Sequence, residues 1–261
     1  MSLGIIQGRL LKPIEGNIQE FPSKNWKEEF ETIKDLNLNH IEWIITNKSF
    51  NEGVLDLDVS DYSDKISSVT CDNLISKEII NHEFLSKQLR PICEWAIKNN
   101  IKVISIPLLE DSQILTKPST HNLYNFKKAL KPYSLVFPEL EFHFEMESPW
   151  HIANELVSDC PNFFLIYDTG NITSCGFDHK EWITNSLPLI KNVHLKDRTI
   201  KPLKTVKPFT GDTDFKLIFK TLKELNYDGK FTLQLAREEE GNEIETTKKH
   251  IKLFKNLINE K

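Results

Sequence analysis

The chain alternates eight times between a short run of β-type residues and a longer amphipathic stretch, and this period constrains the fold more than any other feature. The strand-like runs are Gly4–Gln7, His40–Ile45, Ile66–Cys71, Lys102–Ile106, Leu140–Glu145, Phe163–Tyr167, Asn192–Leu195 and Phe231–Leu235. Their starts lie about 23 to 39 residues apart, the length of a strand-plus-helix unit. Eight such units in 261 residues predict an α/β fold, a single (β/α)8 TIM barrel spanning 1–261 as one domain. A doubly wound sheet uses the same alternation with fewer strands.

The connecting segments support this reading by their own period. Phe215, Ile218, Phe219, Leu222 and Leu225 form one apolar stripe, with Thr213 or Asp214 placed to cap it and Asn226 and Gly229 just past its end. Phe84, Leu85, Leu89, Ile92, Cys93 and Ala96 form a second, which Pro91 is expected to kink or restart. The segment 51–64 is acidic and poorly periodic, so a short or irregular helix is expected between the second and third strands.

Composition narrows the class of partner. Formal net charge is −5, and Lys and Arg are scattered, which excludes the basic footprint of a nucleic-acid binder. No apolar run approaches the 18 or so residues of a membrane span, and the first ten residues do not read as a signal peptide. Cys71, Cys93, Cys160 and Cys175 contain no CxxC pair and read as thiols in a reducing cytoplasm. A homo-oligomer is left open.

Strand parity then separates the two faces of each run. Helices cover the outside of a barrel, so Phe142 and Phe144 face outward, and so do Phe231, Leu233 and Leu235. By the same count Glu145, His194 with Lys196, Thr232 with Gln234, and Gln7 with Arg9 face inward. Trp43 has outward parity, and Trp150 is placed at the rim. Glu145, Asp168, His194 and Gln234 thus come from the ends of four successive strands, where such barrels keep their chemistry. Two carboxylates, an imidazole and an amide oxygen suit one divalent ion such as Mn²⁺, Co²⁺, Zn²⁺ or Mg²⁺. Glu145, or its same-face neighbour Glu147, is the expected base, and Lys196 is placed to stabilise oxyanion charge. Arg198, Arg9 and Arg237 are candidate anion grips, Asp72 follows the third strand, and the loop 210–213 lies near the usual barrel phosphate site.

The runs GIIQGRL (4–10), IQEFP (18–22), IEWI (41–44), YDTGN (167–171), VHLKDR (193–198) and LQLAR (233–237) resemble the xylose-isomerase-like TIM-barrel proteins, most of all their sugar phosphate isomerase/epimerase branch. The resemblance implies a metal-dependent isomerase or epimerase acting on a sugar or sugar phosphate through an enediolate. It implies Glu145, Asp168, His194 and the residue at 234 as metal ligands, Glu145 and Lys196 as catalytic, and Gln7, Arg9, Glu42, Asn171, Asp197, Arg198 and Arg237 as substrate-binding. Two departures from the family pattern stand out. A second glutamate is usual where this chain has Gln234, and a histidine is common where it has Asn171. An amide coordinates through oxygen but accepts no proton, so a weakly catalytic or non-catalytic carbohydrate-binding barrel is the alternative. The abasic-site endonucleases of this fold need a histidine-rich multi-zinc cluster and a basic face, which an acidic chain with 8 histidines does not supply.

Overall fold

The computed structural model describes residues 2–115 and 119–259. Its strands are β1 (Ser2–Ile6), β2 (Ile41–Ile45), β3 (Ile66–Cys71), β4 (Val103–Leu108), β5 (Glu141–Met146), β6 (Phe163–Asp168), β7 (Ile190–Leu195), β8 (Asp197–Thr199), β9 (Lys204–Val206) and β10 (Lys230–Leu233). Eight of them form a closed barrel in the order β1-β10-β7-β6-β5-β4-β3-β2, with helices between successive strands. The remaining two, β8 and β9, pair antiparallel as a small hairpin after β7. All eight strands expected from the sequence are present, with ends moved by no more than two residues.

Contacts divide the chain into two compact units, 1–41 with 167–261, and 42–166. In the first, β1, β10 and β7 run parallel, with Leu3 opposite Phe231 and Thr232 opposite His194. Phe231 turns outward and stacks on Phe219 of the helix Phe215–Glu224, ring centroids 5.5 Å apart. That helix buries Phe215, Ile218, Phe219 and Leu222, and of its two candidate caps Asp214 is the one used, accepting the Leu217 N–H at 3.0 Å.

In the second unit β3, β4 and β5 run parallel, with Ser105 opposite His143 and Pro107 opposite Glu145. Outward Phe142 and Phe144 pack on Phe163, centroids 5.6 and 4.9 Å apart. Trp43 packs against Trp95 at 5.6 Å, as its parity requires. The segment after β2 is short, as expected: a helix over Asn47–Asn51 and 3₁₀ turns at Val54–Asp56 and Ser60–Lys65. One alternative of a local expectation is corrected. Of the kink or restart expected at Pro91, the restart does not occur, because the helix runs unbroken over His82–Lys98. A helix-interior proline costs about 3 kcal/mol. Burying Leu85, Leu89, Ile92, Cys93 and Ala96 on the same face outweighs it, at roughly 1.5–3 kcal/mol for each large side chain. None of the four cysteines is joined in a disulfide, and three of them are buried. Among the described residues no helix is long and apolar enough to cross a membrane.

Candidate metal centre and active site

Asp168 closes β6 and caps the six-residue helix Thr169–Ser174. Its Oδ1 accepts the Asn171 main-chain N–H at 2.7 Å, which fixes the carboxylate and leaves Oδ2 facing another partner. That partner is the Lys196 ammonium, 3.1 Å away. Thr169 ties the lysine's backbone to the same helix: its hydroxyl donates to Lys196 O at 2.6 Å and accepts the Lys196 N–H at 3.0 Å. Gly170 lies beneath, where a Cβ would meet Cγ of both Lys196 and Arg198 at 3.0 Å, so a larger residue would push both away.

His194 on β7 is fully buried and stands opposite Thr232 on β10. Two residues further on, Gln234 therefore shares the His194 face. Its N–H donates to Leu195 O at 3.1 Å, and its side-chain oxygen is buried with no hydrogen-bond partner among the described residues. Glu145 on β5 is in register with Ile166, which shares a strand face with Asp168. Glu145, Asp168 and His194 are all buried, and each offers a ligand atom within 4.8 Å of the others. Two carboxylates with an imidazole are a donor set for a divalent cation. The unsatisfied Gln234 oxygen fits that reading, because a buried acceptor left unpaired costs about 1–3 kcal/mol unless a donor or cation meets it.

The other expected site residues fall into two groups. Arg198 donates to Asn171 Oδ1 at 3.0 Å, so these two meet beside Asp168. Gln7 and Glu42 are fully buried, and Glu42 accepts the Thr70 hydroxyl at 3.2 Å. Glu147 lies past the end of β5, half-buried, within 3.4 Å of the Gln113 amide. Asp197, Arg9 and Arg237 are engaged with the backbone instead. Asp197 accepts the N–H groups of Thr210, Gly211 and Thr213 at 3.1, 2.9 and 3.2 Å, holding the loop 210–213. Arg237 donates from Nε to Ile18 O at 3.0 Å, from Nη1 to Leu11 O at 2.8 Å and from Nη2 to Gly8 O. Arg9 donates to Ile18 O and, at 2.9 Å, to Gln19 Oε1.

The sequence reading missed the third member of that clamp. Glu29 is fully buried on the helix Trp26–Asp35 and accepts the N–H groups of Gly8 and Leu10, each at 3.0 Å to Oε1. Burial pushes its pKa up to about 7, against the pull of the two backbone N–H groups, Arg237 and Arg9. A signal was present, since Glu29 falls on the apolar stripe of Trp26, Phe30 and Ile33.

The model of the family described as "Xylose isomerase-like TIM barrel" matches residues 82–257, well over half of the chain. The chain belongs to that family. Among curated proteins this family member is 28% identical over 149 residues to an inosose dehydratase of Clostridium tetani, covering 47% of this chain and 49% of that protein. It is 29% identical over 92 residues to the inosose dehydratase of Clostridium perfringens strain 13, covering 29% of this chain and 31% of that one. It thus spans half or less of the curated relatives' length. Among solved structures, a D-allulose 3-epimerase from Methylomonas sp. superposes with a TM-score of 0.72 at 14% identity, covering 98% of each chain. The E. coli 3-keto-D-glucoside 4-epimerase gives 0.69 at 17%, covering 97% of this chain and 99% of that one. The IOLI protein, solved with a zinc atom, gives 0.68 at 15%, covering 99% and 98%. At these identities the structures establish the barrel shared by this family.

Proposed function

We propose that this chain is a divalent-metal-dependent isomerase or epimerase that removes a proton α to the carbonyl of a sugar or sugar phosphate. The observation that carries the reading is the buried Glu145, Asp168 and His194 group at the barrel strand ends. These three, with Gln234, would hold one Mn²⁺, Zn²⁺, Co²⁺ or Mg²⁺ ion. When bound, such an ion polarises a substrate carbonyl and its adjacent hydroxyl and lowers the cost of the enediolate. The remaining chemistry belongs to the chain. Glu145 takes the α proton, with Glu147 the next carboxylate beyond it on the same strand face. The Lys196 ammonium, adjacent to Asp168, meets the charge that develops on oxygen. Arg198, steadied by Asn171, and buried Gln7 and Glu42 would orient the substrate's hydroxyl or phosphate groups. Four cysteines, none of them in a disulfide, suit the reducing cytoplasm.

Gln234 shapes the outcome because an amide neither takes nor returns a proton at neutral pH. One base on one face supports isomerisation, in which Glu145 returns the proton it removed. The names of the sequence relatives favour a second reading, dehydration of a keto-polyol. There the C–H bond breaks as before and the β C–O bond then breaks. The departing hydroxide takes a proton from Lys196 and leaves as water.

Proton exchange tests both. The Mn²⁺-loaded protein is incubated in deuterated water with ketoses, ketose phosphates and inososes. Deuterium entering the α carbon is read by NMR, and an enone product by its absorbance. Exchange on at least one substrate is expected, falling by about 10² to 10⁴ in Glu145→Gln. No exchange on any substrate, with metal bound, overturns the enzymatic reading in favour of a carbohydrate-binding barrel.

A further inference from the structure

We propose that His179 is a positioning residue: neutral and protonated on Nε2, it closes a directed chain of hydrogen bonds that sets the Asp168-capped helix against the end of β7. The direction follows from counting protons. The Thr173 hydroxyl has one, which it donates to Thr169 O at 2.7 Å. Its two other partners, His179 Nε2 at 3.0 Å and the Thr213 hydroxyl at 2.9 Å, must therefore both donate to it. A neutral imidazole carrying its proton on Nε2 has a lone pair on Nδ1, and the Tyr167 hydroxyl is the donor that meets it. The Thr213 oxygen, having given its proton to Thr173, is left to accept the Arg198 main-chain N–H at 3.5 Å. Tyr167, Thr169, Thr173, His179 and Thr213 are all buried. Burial holds the His179 pKa down to about 4 although Asp178 and Asp214 pull it upward, so the ring stays neutral at neutral pH.

The chain matters because the helix it secures is short. Six residues do not sustain a helix by propensity alone, so tertiary ties must hold Thr169–Ser174 in place. This helix supplies the Asn171 N–H to Asp168 Oδ1, the Asn171 amide oxygen to Arg198, and Thr169 to both backbone groups of Lys196. His179 and Thr173 are not among the proposed metal ligands, yet they fix the piece that orients one of them. The functional consequence rests on the reading of Asp168 as a metal ligand, whereas the tautomer does not.

Two measurements on the full chain separate these points. Nitrogen-15 NMR of His179 at pH 7.5 is expected to give a protonated Nε2 and an acceptor-type Nδ1. In Tyr167→Phe, which deletes only the phenolic O–H, the Nδ1 signal is expected to shift. A ring protonated on Nδ1, or an Nδ1 signal unmoved in Tyr167→Phe, overturns the assignment. Mn²⁺ titration of Thr173→Val is expected to show affinity about 10-fold weaker, the usual scale for an outer partner of a ligand, with cooperative unfolding retained. Thr173→Ser, which restores the hydroxyl, is expected within twofold of wild type. Equal affinity in wild type and Thr173→Val overturns the positioning role. If Thr173→Val does not fold, the affinity test passes to Tyr167→Phe with the same criterion. A wild type that binds no Mn²⁺ removes the metal reading and the positioning role built on it, while the spectrum still decides the tautomer.

Discussion

Two clusters of charged side chains, one drawn entirely from the unit 1–41 with 167–261 and the other gathered at strand ends, look alike in sequence and differ in what they are free to do. After β1, Arg9, Arg237 and Glu29 are spent on main-chain groups of the loop 8–20: guanidinium N–H groups on carbonyls, carboxylate oxygens on N–H groups. At the ends of β6 and β7, Asp168 uses one oxygen as a helix cap, offers the other to Lys196, and belongs to the buried group with Glu145 and His194. A loop that leaves a strand end must have its backbone polar groups satisfied. Arg9, Arg237 and Glu29 are recruited for that purpose, however active-site-like their type. We propose that chemistry falls to the polar atoms left facing other side chains, as Asp168 Oδ2 faces Lys196.

The largest test of this contrast is Arg237→Met. It takes donors from the carbonyls of Gly8, Leu11 and Ile18. Hydrogen bonds to charged groups contribute roughly 1.5–3 kcal/mol each and add incompletely, so a loss of about 3–5 kcal/mol in urea unfolding is expected. Mn²⁺ affinity is expected to stay within about threefold of wild type, since only outer partners of a ligand cost more than that. If stability held while affinity for phosphorylated sugars collapsed, Arg237 would be a ligand grip and the contrast would fail.

The same contrast marks where sequence reasoning succeeds and where it stops. All eight barrel strands were legible, because a period of two in the runs and of 3.6 between them follows from which faces are buried. The buried group of Glu145, Asp168 and His194 was legible as residues, because strand parity separates the faces that carry Glu145 and His194, together with His143 and Asn192, from the apolar faces of the same strands, and Asp168 ends β6. Arg9, Arg237 and Asp197 could not be assigned, because their partners are backbone groups that every residue carries alike. Glu29 could have been found, as a carboxylate on an apolar stripe is anomalous wherever it occurs. His179 could not, since its partners lie at 167 and 173 and its meaning depends on where their protons point. The restart expected at Pro91 failed because its local penalty was visible and the burial that outweighs it was not.

Glu29 provides a smaller test through pH. Its pKa is about 7 in the fold against 4.5 for the ordinary carboxyl. Between those values the folded state keeps a proton that the unfolded chain has released. The group's contribution is therefore complete below about pH 4.5 and is lost as pH rises to 7, at no more than about 1.4 kcal/mol per pH unit. In Glu29→Gln this slope is absent. Urea unfolding at pH 5 and pH 7 is expected to show wild type losing ground to the variant as pH rises. Parallel profiles would mean that Glu29 stays ionised and that the loop clamp is an ordinary ion-pair network.

Gln234 tests the other side of the contrast. Its amide oxygen is buried with no hydrogen-bond partner among the described residues and stands on the same strand face as His194. Gln234→Glu keeps the shape and adds a charge. Without metal that charge is buried and uncompensated, so the metal-free variant is expected to unfold at lower urea than wild type. With metal the added carboxylate is a stronger ligand, and Mn²⁺ affinity by calorimetric titration is expected to rise about 10-fold, or about 1.4 kcal/mol. The two effects have opposite sign, so the stability order of variant and wild type is expected to reverse on adding Mn²⁺. A general loss of packing lowers both states and produces no reversal. The variant would also gain a proton acceptor that the amide denies, so exchange at a second stereocentre face is expected to appear in the deuterium assay. Unchanged Mn²⁺ affinity would place Gln234 outside the metal centre, and its unpaired oxygen would then be a structural cost with no ligand to relieve it.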